Sequence, residues 1–199
     1  MDTNATENDY RVQVLADVPG LTDAPPSALA ELARWWGVFE VNDAMICQER
    51  ESAETLFVLA EGSAIVIKTA PNGRRYQVAT LTHGCPFGHV GVMTLTRRTA
   101  SVRAVGTIKL LKMPARQARE ILRSDDFLVA SPFRRALIVA MARQLHSATA
   151  TTMKLAVDAG LTTTGVTEAA RPIAEHPSTV DSLTEEEVSQ QITIASGHL

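Results

Sequence analysis

Residues 87–100 read Phe87-Gly88-His89-Val90-Gly91-Val92-Met93-Thr94-Leu95-Thr96-Arg97-Arg98-Thr99-Ala100, and their reading decides the fold. A glycine turn comes first. About ten residues later, Arg98-Thr99-Ala100 opens a new apolar run. Such a turn exposes backbone N–H groups that together form a concave anion site. Arg98 adds a guanidinium whose fork matches two phosphate oxygens, and Thr99 adds a hydroxyl. The segment has the layout of a pocket for one phosphate.

On both sides of this segment the pattern is β. Short apolar runs are expected as strands at 39–41, 44–47, 55–59, 64–69, 76–80, 100–105 and 108–113, with turn signals at Glu61-Gly62, Pro71-Asn72-Gly73, His83-Gly84 and Gly106. Many short strands with no long helix between them predict a sandwich or barrel. Pro71-Asn72-Gly73 between two alternating runs predicts a hairpin.

Helical patterns flank the β region. Pro25-Pro26-Ser27 predicts a helix start, followed by Leu29, Leu32, Ala33 and Trp36 at helical spacing, with Trp35 and Trp36 expected to pack in the core or at its edge. Residues 115–123 form a second helix. Ser131-Pro132 opens a longer one, over about 131–157. Along it Ile138, Met141, Leu145, Ala148, Thr152 and Leu155 step by three and four, a heptad seam suited to packing across a dimer axis.

Residues 1–11 read as a flexible polar arm. Beyond residue 157 the periodicity collapses into a polar, acidic tail, 158–199, expected to be disordered, with one weak amphipathic stretch at 182–194. The tail is a candidate to meet a protein partner.

Composition limits the functional classes. The 199 residues are 45% hydrophobic and 21% charged, enough for one packed domain with extensions. No run approaches the ~18 apolar residues of a membrane span. The amino terminus is acidic, unlike a secretory leader, and with only two cysteines a reduced cytoplasmic protein is expected. The net charge of −3 is uneven: residues 1–157 hold 18 Lys and Arg against 15 Asp and Glu, whereas 158–199 hold one Arg against seven acids. Neither part is basic enough to suggest DNA binding. No nucleophile–base pair or paired carboxylates mark an enzyme. His83, Cys85 and His89 are near one another, but their spacing matches no closed zinc pattern, so no metal is expected.

Four ordered stretches carry a family resemblance: 56–66 (Leu-Phe-Val-Leu-Ala-Glu-Gly-Ser-Ala-Ile-Val), 87–92, 98–104 (Arg-Thr-Ala-Ser-Val-Arg-Ala) and 140–145 (Ala-Met-Ala-Arg-Gln-Leu). With the helical lead-in and long closing helix, residues 15–157 resemble the cyclic nucleotide-binding domain and are similar in layout to bacterial regulators of the catabolite activator type. The resemblance implies a mainly β fold with flanking helices. Its centre would be a jelly-roll β-barrel of the cupin-like double-stranded β-helix kind, in a domain over 12–157 closed by a dimerisation helix.

It implies cAMP or cGMP as ligand, no tightly bound cofactor, and a phosphate-binding cassette of Phe87, Gly88, His89, Val90, Arg98, Thr99 and Ala100. Thr149 on the closing helix would approach the base.

Two departures stand out. The family places a glutamate for the ribose 2′-hydroxyl where this chain has His89. A neutral imidazole can accept that bond, but more weakly by about 1–2 kcal/mol, or roughly tenfold in affinity. Beside a phosphate it would also be readily protonated, giving pH-dependent binding near neutrality. Secondly, residues 158–199 are too short and acidic for a winged helix-turn-helix. The expectation is a sensor module; the alternatives are a ligand-free dimeric scaffold on the same fold and, with little in its favour, a metal or redox sensor.

Overall fold

The computed structural model describes residues 3–158. In chain order the elements are α1 (Thr3–Ala16), α2 (Pro26–Ala33), β1 (Gly37–Asn42), β2 (Met45–Cys47), β3 (Thr55–Thr69), β4 (Arg75–Leu81), β5 (Pro86–Phe87), α3 (His89–Thr94), β6 (Ser101–Pro114), α4 (Ala115–Arg123) and α5 (Phe127–Asp158). Contacts divide the chain into two units, Met1–Thr151 and Thr152–Leu199. The fold and site described below lie in the first.

All strand pairs are antiparallel. The sheet runs β1-β6-β3-β4, with β2 added on β6 and β5 on β3. This is the expected jelly roll with helices at its flanks, but its strands are longer than their hydrophobic runs. The turn signals at Gly62 and Gly106 lie inside β3 and β6, at φ +84° and +66°. There the register slips: Glu61 pairs with Lys109, while Ser63 pairs with Val105. The two strands bend together and continue into the other half of the roll. Gly62 is required at the bend, since a Cβ there would lie 2.8 Å from the Ile108 side chain.

Alternation along this ribbon builds two cores. Leu56, Val58, Leu111 and Met113 face outward and pack with Leu15, Leu32, Trp36, Phe133 and Leu137 of the helices. Phe57, Leu59, Ile108 and Leu110 face inward with Cys47, Ala64, Phe87, Val102 and Ala104. The first core clamps the helices; the second lines the roll.

The helices depart from expectation in three places. Residues 3–11 are not a flexible arm but part of α1. Arg11 donates to the Trp36 carbonyl at 2.7 Å, and the Tyr10 hydroxyl to Glu61 at 2.7 Å, so the polar residues are tied to the body. Of the tryptophan pair, Trp36 is buried and Trp35 is largely exposed.

The closing helix starts at Phe127 rather than at Ser131-Pro132. Asp126 accepts the Leu128 N–H at 3.0 Å and acts as the cap, leaving Pro132 inside the helix, where it removes a backbone hydrogen bond. α5 packs on the body through Val129, Ala130, Phe133, Ala136, Leu137 and Ala140, whereas Ile138 and Leu145 of the heptad seam face solvent. No helix among the described residues is long and apolar enough to cross a membrane. The tail reading, including 182–194, concerns residues outside those described.

Candidate phosphate-binding cassette

The β5–α3 junction turns on Gly88, which caps α3 in the left-handed conformation, φ 76°. A side chain there would strike the Arg98 guanidinium and lie 3.2 Å from the Thr55 carbonyl oxygen, so only glycine fits. The turn brings Phe87 onto β3, where its ring stacks on Phe57 with centroids 5.0 Å apart.

Arg98 is drawn into the roll. It is 6% exposed, and its guanidinium carbon lies 5.5 Å from the centre of the Phe57 ring. It donates to the Gly88 carbonyl at 3.1 Å and to the Thr55 carbonyl at 2.7 Å, while Nε has no partner. No carboxylate pairs with it among the described residues. Its charge is felt inside the roll: burial pushes the Cys47 thiol up, and the guanidinium opposes that shift.

A buried cation without a counter-ion is costly, because desolvation is not returned by Coulomb attraction. Arg97, its neighbour, behaves as an ordinary surface residue, exposed and donating to the Arg50 carbonyl.

His89 opens α3 and is 4% exposed. Burial holds its imidazole below the ordinary histidine value, and the Gln144 amide of α5 acts in the opposite direction. Neither ring nitrogen meets a partner in full hydrogen-bond geometry. Burial thus disfavours the charged ring.

The structure thus brings Phe87, Gly88, His89 and Arg98 together, with half-buried Val90 and Ala100 beside them. Thr99 is exposed, as is Thr149 on α5.

Residues that the sequence reading missed are Thr55 and Phe57, which hold Arg98 through a backbone carbonyl and a ring face. Nothing in a β-strand sequence announces either role. His83 is engaged elsewhere, between the Ala60 carbonyl and Asp17. No cluster of three metal-ligating side chains occurs among the described residues.

Residues 41–125 match the family model of the cyclic nucleotide-binding domain. Solved structures share the fold. A cyclic nucleotide-binding domain from Methylobacillus flagellatus aligns with TM-score 0.66 at 16% identity, over 75% of this chain and 84% of that one. The regulatory domain of Toxoplasma gondii PKA, crystallised with cAMP, aligns with TM-score 0.59 at 18% identity, over 70% and 51%.

The regulatory subunit of a cAMP-independent protein kinase A from Trypanosoma cruzi, bound to guanosine, aligns with TM-score 0.61 at 22% identity, over 80% and 53%. The chain spans about half the length of these kinase regulatory proteins. No curated protein matches it in sequence. No helix-turn-helix domain follows the roll among the described residues.

Proposed function

We propose that the chain is a regulatory sensor module that binds a cyclic nucleotide, cAMP or cGMP, in the cassette. The observation that carries this reading is Arg98: a buried guanidinium, unpaired with any carboxylate among the described residues, beneath a left-handed glycine turn. An anionic phosphodiester supplies the missing charge. Arg98 and Thr99 would take its oxygens with the N–H groups of the turn, and His89 would accept from the ribose 2′-hydroxyl through one ring nitrogen. Phe87, Val90 and Ala100 would bound the pocket, with Thr149 above the base.

The relay runs through α5. Gln144 neighbours His89, so a shift of the cassette on binding acts directly on the helix. The exposed seam residues Ile138 and Leu145 fit a homodimer through 131–157, and the acidic tail would present a partner surface biased by the same movement.

A ligand-free scaffold is the second reading. What favours it is that Arg98 already spends two donors on backbone carbonyls.

Native mass spectrometry of freshly purified protein, followed by calorimetric titration with cAMP and cGMP at about pH 6 and pH 8, separates the two. The sensor reading expects a co-purified nucleotide or saturable heat with at least one ligand. Silence in both, at high micromolar ligand, leaves the scaffold.

A further inference from the structure

We propose a second ligand site inside the roll, on the β1–β2 side of Arg98, for a small organic monoanion with a flat apolar body. A cavity of about 500 Å³ lies there, within the size range of ordinary small-molecule sites. Of the residues from 87 to 100 only Arg98 lines it, together with Thr55 and Phe57, which hold the guanidinium. The site is therefore not the nucleotide pocket seen from another angle, although both would use the same guanidinium.

The lining sets the chemistry. Phe57 and Leu110 belong to the inward core, and Phe39, Val41, Met45 and Ile46 extend the apolar wall along β1 and β2. Phe39 and Met45 are 44% and 39% exposed. Large apolar side chains left in water around a cavity are a surface that a ligand body would cover.

The charges divide by depth. Arg98 is buried with one nitrogen unpartnered, and half-buried Lys112 holds its ammonium 4.7 Å from the centre of the Phe39 ring. Glu51 and Glu54 also line the cavity but are exposed, where water screens them. One acid group is thus attracted inward, while the two carboxylates disfavour polyanions.

The test titrates the full chain with 8-anilinonaphthalene-1-sulfonate, followed by its fluorescence. One equivalent is expected to bind. Phe39→Ala, at an exposed position that leaves the fold intact, is expected to weaken it about tenfold. Phe127→Ser, which removes an aromatic exposed outside the cavity, is expected to change nothing. N-phenyl-1-naphthylamine, the same body without the sulfonate, is expected to bind about tenfold more weakly, a difference that Arg98→Lys reduces.

Equal binding of the two probes, or equal loss with Phe39→Ala and Phe127→Ser, overturns the proposal. Displacement of the sulfonate probe by cAMP supports both sites sharing Arg98. Cavity binding without any response to cAMP upholds this site and counts only against the nucleotide reading.

Discussion

The two faces of the β3–β6 ribbon differ in what they leave unfinished. On the outward face, Leu56, Val58, Leu111 and Met113 are fully covered by helices. On the inward face the same strands support a buried cation over Phe57 and a cavity lined by Phe57 and Leu110. One face spends its burial on stability. The other holds a buried cation that no carboxylate among the described residues offsets.

Truncation on the outward face sharpens that contrast most. Leu111→Ala empties a fully buried position and is expected to cost about 2–5 kcal/mol in chemical denaturation, while the remaining folded protein keeps its nucleotide affinity. A parallel loss of affinity would break the distinction between the faces.

Gly88→Ala comes next. It forces a side chain into the left-handed turn against Arg98, and about 1–3 kcal/mol of stability should be lost together with nucleotide affinity. His89→Glu restores the family's ribose acceptor. Affinity for cAMP should rise about tenfold by calorimetry, with some loss of stability because a carboxylate is then buried.

The smallest effect concerns pH. The Ala60 carbonyl and Asp17 raise the His83 pKa above its ordinary value. This contribution is complete below the unfolded histidine value near 6.5 and is lost as pH rises through the folded value. Burial lowers the His89 pKa. Its contribution is present above that unfolded value and is lost as pH falls below it. His83→Gln should therefore remove a loss of stability toward alkaline pH, under about 1 kcal/mol because the pair is largely exposed. Melting curves across pH 5–8 would show it.

Much of this was legible from sequence because local chemistry and global fold agree. Asn72-Gly73 turns the β3–β4 hairpin between two alternating runs, as the sequence predicts. Gly62 and Gly106 misled in part. A glycine reads as a turn whether it ends a strand or bends one, and only pairing across the ribbon tells them apart. The α1 arm misled because its polar residues reach partners distant in sequence, Trp36 and Glu61. Pro132 suggested a helix start, but Asp126 had already capped the helix.

At the site, the spacing from Gly88 to Arg98 was legible. The direction of the guanidinium was not, because the carbonyl of Thr55 and the ring of Phe57 receive it through tertiary packing.

Calorimetric titration of cAMP into wild-type and Arg98→Ala protein, with melting curves for both, tests the central claim most directly. Truncating one member of a buried charge pair costs about 2–5 kcal/mol of binding, so affinity should fall by about thirtyfold or more while the variant stays folded. An unchanged affinity in a folded Arg98→Ala protein would contradict the account.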